Sequence, residues 1–119
     1  MEQTIESKKV TIVWETRTHL DGNLHAKAEE IKRLVALEML STVEDMEMRG
    51  RKREHVTARQ LAMSFIRDRT FLPLKVIGGM FGGRDHTTVI HAIQAVEDLK
   101  DSDKRFKKQF EYLDSLIEK

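Results

Sequence analysis

From about Leu24 onward the apolar positions recur at three- and four-residue spacing, as in helices that bury one face and wet the other. Ala28, Ile31, Leu34 and Val35 open the first stripe, which continues past Glu38-Met39 to Leu40. Ser41 and Glu44 stand three apart, the spacing of a capping box, and predict a short second helix through about Glu47. A glycine-containing basic loop follows, Met48-Arg49-Gly50-Arg51-Lys52-Arg53. The third helix is expected from about Glu54 to Arg69, with Ala58, Leu61, Ala62, Phe65 and Ile66 turned inward. Phe71-Leu72-Pro73 breaks it, and Pro73 suits the first turn of the next helix because its missing N–H costs nothing there. That helix, Leu74 to Phe81, should bury Leu74, Ile77 and Phe81 before Gly82-Gly83 ends it. Asp85 can cap a fifth helix whose seam is Val89, Ala92, Ile93, Val96 and Leu99. Ser102 is expected to cap the last, with Phe106, Phe110, Leu113 and Ile117 inward. The fold class is all-α, a compact bundle of about five to six helices without repeats or low-complexity tracts.

Residues 1–25 are expected to form an arm outside a helical domain of residues 26–119. Val10, Ile12 and Trp14 alternate as in a short strand, but no partner strand is evident. Trp14 is read as an apolar anchor, and Asp21-Gly22-Asn23 as a turn at the boundary.

Composition adds exclusions. The 119 residues have room for one domain. With no cysteine there is no disulfide framework, thiolate zinc site or cysteine nucleophile. No apolar run approaches the roughly 18–20 residues that span a bilayer, and Met1-Glu2-Gln3-Thr4-Ile5-Glu6 lacks the basic-then-apolar order of a signal peptide. The expected location is the cytoplasm, in association with the nucleoid. The net charge of +1 is uninformative, but its distribution is not. Residues 1–48 carry a net −4, residues 49–91 a net +6, and residues 92–119 a net −1. A cationic middle third is the electrostatic footprint of a protein that meets a phosphate backbone.

Two helices joined by a tight glycine turn, the second opening with polar residues, follow the plan of a helix-turn-helix. The second helix must present short donors and acceptors to base edges, and Asp85, His86, Thr87 and Thr88 supply them. An aspartate can accept from the cytosine amino group, and a threonine offers a hydroxyl and a methyl that can meet thymine's methyl. The wording is more specific still. Gly82-Gly83-Arg84-Asp85-His86-Thr87-Thr88-Val89 resembles the signature of the DnaA family of bacterial replication initiators. The resemblance extends through Ile77-Gly78, Ala58-Arg59-Gln60-Leu61-Ala62-Met63, Arg51-Lys52-Arg53-Glu54 and Val43-Glu44-Asp45, in register over roughly residues 28–118.

That resemblance implies the family's C-terminal DNA-binding domain, a Trp-repressor-like helical fold, and double-stranded DNA as the partner. It implies that Arg51 enters the minor groove, that Asp85, His86 and Thr87 read base edges in the major groove, and that Arg59 lies at a base or phosphate. Arg53, Gln60, Arg67, Lys75 and Thr88 are implied backbone contacts, with Arg84 in support. It implies a monomer on an asymmetric site. Two departures stand out: Phe65, preceded by Ser64, replaces a tyrosine-like position, and Leu40 replaces a turn glycine, so that the first two helices are expected to join differently.

No Gly-x-x-x-x-Gly-Lys-Ser/Thr phosphate loop occurs, and Gly78-Gly79-Met80-Phe81-Gly82-Gly83-Arg84 lacks its Lys and hydroxyl. The expectation is a stand-alone reader without the initiator's ATPase, with an accessory or regulatory role in replication or a role in transcription. No cofactor or metal is expected: His86 and His91 are five apart, where ligands on one helix face prefer four, and no third ligand is near. No enzyme is expected either, because Asp85, His86 and Thr87 are consecutive and point in different directions. Both glycine pairs, Gly78-Gly79 and Gly82-Gly83, are read as sites of close helix approach. The rival from another class is an interaction adaptor on the same scaffold, engaging a replication protein through the acidic first 48 residues and the Val10-Ile12-Trp14 patch of the N-terminal arm; contact with anionic membranes ranks below both.

Overall fold

The computed structural model describes residues 23–117, so the expectations for the 9–14 strand, Trp14 and Asp21-Gly22 lie outside the described residues. Six helices follow one another: α1 (23–38), α2 (Val43–Glu47), α3 (Arg53–Thr70), α4 (Leu74–Gly79), α5 (His86–Ser102) and α6 (Lys104–Leu116). There is no strand among the described residues. α3 is the hub, packed against α2, α4 and α5, while α5 packs in turn against α4 and α6.

The apolar stripes meet where the spacing places them. Ala28, Ile31 and Val35 of α1, Ala58, Leu61, Ala62, Phe65 and Ile66 of α3, and Ile77, Phe81, Val89, Ala92, Val96, Phe106, Leu113 and Ile117 are all buried. Leu34, Leu74, Ile93, Leu99 and Phe110 pack against this core with part of their surface outside it. Phe65 and Phe110 stack with centroids 4.7 Å apart and join α3 to α6, an arrangement worth about 0.5–1.5 kcal/mol beyond the area it buries.

The expected caps are displaced by one residue in two places. Thr42, not Ser41, caps α2 by accepting from the Asp45 amide at 3.0 Å. Ser41 Oγ instead lies 2.8 Å from His55 Nδ1 on α3. Asp103, not Ser102, caps α6 by accepting from the Arg105 and Phe106 amides at 3.0 and 3.1 Å. Ser102 ends α5 and donates back to Asp98 O at 2.9 Å. At the second site a carboxylate one residue downstream holds the helix N-terminus more strongly than the hydroxyl. Pro73 likewise sits at the N-cap of α4, just ahead of its first turn.

The α1–α2 join shows how the missing glycine is tolerated. Leu40 itself adopts the left-handed conformation, with φ 58°. The Ser41 amide donates to Ala36 O at 2.8 Å and the Leu40 amide to Leu37 O at 3.4 Å, the bonding pattern of a Schellman turn. The expected different join is therefore not seen; a leucine occupies a glycine's geometry. Its side chain is 87% exposed and gains little there, while a left-handed residue with a Cβ costs roughly 1–2 kcal/mol. Leu40→Gly should raise stability by about 0.5–1 kcal/mol after the glycine's extra chain entropy is subtracted. A melting curve would read this as a Tm several degrees higher; a lower Tm would show that the leucine side chain holds contacts that outweigh the strain.

Among the described residues Lys32, Arg59 and Thr70 are buried polar side chains, and Lys32 is the deepest. Lys32 of α1 is 1% exposed, and its ammonium donates to Glu47 Oε2 at 2.5 Å and to Met80 O at 2.6 Å. It also lies 4.8 Å from the centroid of Phe81. A lone buried ammonium would be costly, but a carboxylate, a carbonyl and an aromatic face together replace its water. Lys32 thus ties α1 to the end of α2 and to the turn that follows α4.

Candidate nucleic-acid interface

α4, the turn after it and α5 make the helix-turn-helix. The turn is tight because two glycines admit neighbouring backbone. A Cβ on Gly78 would sit 2.0 Å from Arg84 O, and one on Gly82 would sit 2.2 Å from Glu47 O. Gly82 also has φ 77°. The expectation that both members of each pair serve close approach holds for Gly78 and Gly82; nothing lies within 4 Å of a Cβ on Gly79 or Gly83. The Arg84 amide donates to Gly78 O at 2.9 Å and closes the turn.

Asp85 then caps α5, accepting at Oδ1 from the Thr88 amide at 3.0 Å and from the Thr88 hydroxyl at 3.2 Å. The Thr88 amide bond is the main reason that its carboxyl lies below the usual carboxylate range, so it is ionised at neutral pH. His86, Thr87 and Thr88 are exposed in the first turn that follows. The outer face continues at helical spacing through Ile90, His91 and Gln94, all exposed. Reading the sequence stopped at Thr88; three- and four-residue steps from Thr87 would have found the rest of this face.

Between α2 and α3, Arg49, Arg51 and Lys52 stand exposed on the basic loop, with Arg53 exposed at the start of α3. What holds this loop is a pair of arginines that sequence reasoning assigned elsewhere. Arg59 is 8% exposed, and its guanidinium faces inward. Its Nε donates to Met46 O at 2.8 Å, and its Nη2 to Met48 O at 3.1 Å and Gly50 O at 3.4 Å. Arg84 approaches from the opposite partner: Nη1 donates to Glu47 O at 3.2 Å and to Phe81 O, and Nη2 to Met48 O at 2.8 Å. Carbonyls at the C-terminal end of a helix lack intrahelical partners, and here two guanidinium forks take them up. The Met48 carbonyl accepts from both arginines. Arg59 of α3 and Arg84, the residue before Asp85, are therefore bonded to one atom of the loop that carries Arg51.

The arrangement concentrates positive charge. Burial lowers the pKa of Arg59, and the charge of Arg84 adds to the effect. Burial also lowers that of Arg84, with a contribution from Arg49. Like charges are held close by the neutral carbonyls they share.

The remaining expected contacts are dispersed around this centre. Gln60 is half-buried beside Arg59 on α3. Lys75 is exposed in the first turn of α4. Arg67 is partly buried and donates from Nη1 to Leu72 O at 2.8 Å, which fastens the α3–α4 link. No group of three or more His, Asp or Glu side chains among the described residues could hold a metal, and no described helix is long and apolar enough to cross a membrane.

Comparison with known proteins agrees with this architecture. The family described as the bacterial dnaA protein helix-turn-helix matches residues 28–96. The chain is 48% identical over 81 residues to a chromosomal replication initiator protein DnaA of Thermus thermophilus, covering 68% of this chain and 19% of that protein. It is 41% identical over 91 residues to the DnaA of Brucella abortus, covering 76% and 18%. It is 32% identical over 96 residues to that of Laribacter hongkongensis, covering 81% and 20%. The chain spans about a fifth of the length of these relatives. Its matching region and its helix-turn-helix make the chain a member of the DnaA helix-turn-helix family.

Proposed function

We propose that the chain binds duplex DNA sequence-specifically, at sites like the boxes recognised by the initiators, and serves an accessory or regulatory role in replication. The observation that carries this reading is that Arg59 and Arg84, the residue before the Asp85 cap, both donate to the Met48 carbonyl at the start of Arg51's loop. It supports two readers working as a unit: Asp85, His86 and Thr87 in the major groove, and Arg51 in the neighbouring minor groove. Arg53, Gln60, Lys75 and Thr88 supply phosphate contacts, with Arg67 steadying the α3–α4 link near them. Arg59 acts chiefly by holding the loop, and its donors toward carbonyls support that role over a base contact. No chemical step is assigned to the domain. We read the domain as a monomer on its site, and the residues ahead of α1 as the part that engages a replication protein.

The test is selection of random duplexes by the full chain, followed by titration of the enriched sequence at two salt concentrations. One enriched box, bound less tightly at high salt, is expected. Weak, salt-sensitive binding to every sequence alike would reject the reading and leave the adaptor as the better account. On the enriched box, Arg51→Ala and His86→Ala should each cost on the order of 1–3 kcal/mol and relax preference only at the base pairs they read. Unchanged affinity in both variants would overturn the assignment of these two side chains.

A further inference from the structure

The first turn of α6 carries cations where the helix dipole disfavours them. Lys104 and Arg105 occupy its first two positions, and Lys107 and Lys108 follow at once; all four are exposed. Positive side chains near a helix N-terminus face the positive end of the macrodipole and lower stability. One local charge opposes this, the Asp103 carboxylate at the N-cap. Among the described residues none of the four takes part in an ion pair, and the nearby Asp103 carboxylate is occupied in capping the Arg105 and Phe106 amides.

The cluster also shares a groove with the start of α3. Arg105 of α6 and Arg53 of α3 line one groove of about 400 Å³, together with Thr57, Gln109 and a single additional acid besides Asp103, Glu54. Arg53 directly follows Arg51-Lys52, the loop assigned above to the minor groove. Lys104, Arg105 and Lys108 share a helix face by their three- and four-residue spacing, and Arg105 shares the groove with Arg53, the residue that follows the basic loop.

We infer that Lys104, Arg105 and Lys108 form a second phosphate-contacting surface, which engages the backbone of the same duplex beyond the base pairs that are read. The inference rests on the duplex-binding reading above and adds a partner surface to it. These contacts carry no sequence information. They lengthen the footprint, add affinity, and make it depend on DNA that flanks the box.

The experiment compares the full chain with the variant Lys104→Ser/Arg105→Ser/Lys108→Ser on two duplexes: the enriched box alone, and the same box with about ten base pairs, roughly one helical turn, on each side. A Lys27→Ser/Arg33→Ser variant on α1 controls for a general loss of positive charge. The unaltered chain should bind the flanked duplex more tightly. The α6 variant should lose on the order of tenfold in affinity there, and its log–log salt slope should shrink by about 2–3, close to 0.9 per lost phosphate contact. On the trimmed box it should match the unaltered chain, with the same base preferences, and the α1 control should lose far less on either duplex. The Tm of the α6 variant should not fall, since exposed cations are being removed from a dipole-disfavoured turn. Equal binding of the α6 variant and the unaltered chain to the flanked duplex would overturn the inference, as would an equal loss on both duplexes. If no box is enriched but the flank-length and salt effects persist on arbitrary DNA, the box-reading proposal fails and the α6 surface stands.

Discussion

Gly78→Ala is expected to destabilise the domain by about 3 kcal/mol or more, whereas Gly79→Ala, one residue on, should stabilise it by roughly 0.5–1 kcal/mol. Both glycines lie in α4, so their intrinsic helix cost is the same and alanine improves it at either position. They differ in surroundings. A methyl on Gly78 would lie 2.0 Å from Arg84 O and 3.2 Å from Asp85 O, both backbone atoms that no rotamer change can move. A methyl on Gly79 meets nothing within 4 Å. Relief at position 78 requires α5 to back away from α4, which breaks the bond from the Arg84 amide to Gly78 O and displaces the cap at Asp85. Overpacking usually costs 1–3 kcal/mol, with backbone clashes at the upper end. Urea titration of the two variants measures the contrast. Equal stability would mean that the helix-turn-helix can open at this point without loss, and the account of its tight turn would be wrong.

Arg59→Ala should cost on the order of 2–4 kcal/mol in stability and at least tenfold in affinity for the preferred duplex. The side chain is buried and serves three loop carbonyls, of Met46, Met48 and Gly50. Hydrogen bonds to a charged donor are worth about 1.5–3 kcal/mol, and acceptors left buried and unpaired add their own penalty. The affinity loss follows from the loop, since on the proposed reading Arg51 meets the DNA from it. Arg59→Lys separates this role from that of a simple phosphate contact. Lysine keeps the charge but cannot present a planar fork to several acceptors, so it should behave nearly as badly as alanine. Stability and affinity close to the unaltered chain in Arg59→Lys, measured by thermal melting and duplex titration, would return Arg59 to the role of a charge facing the DNA.

How much of this was legible beforehand depended on whether the cause was local. The helices and most of their inward positions follow from periodicity, which burial of one face imposes on any amphipathic helix. Asp85 was identifiable as a cap because it directly precedes the helix and carries a short acceptor. The caps at Thr42 and Asp103 were missed by one residue because two adjacent side chains could each have served, and only the backbone angles choose between them. The arginine pair was out of reach for a different reason. A guanidinium at the end of a long chain goes wherever acceptors are gathered, and the carbonyls that gather around Arg59 come from residues 9 to 13 positions away. Lys32 was hidden likewise, since its partners, Glu47 and Met80, lie 15 and 48 residues on. Leu40 shows the reverse case, in which a local preference for glycine was overridden because the surrounding helices require the turn whatever residue fills it.

The carbonyl of Met48 also bears on what counts as a correct target. It accepts from Arg59 on one side and Arg84 on the other, so on the proposed reading the minor-groove loop and the major-groove helix would move as one. A reader built on separate flexible arms could follow a site lengthened by one base pair, because each arm would adjust alone. Here an inserted pair would turn one half of the site by about a tenth of a helical turn against the other, and the protein could accommodate it only by breaking its own internal bonds. Such a chain acts as a caliper: it would reject a site with the right letters at the wrong distance as firmly as one with the wrong letters.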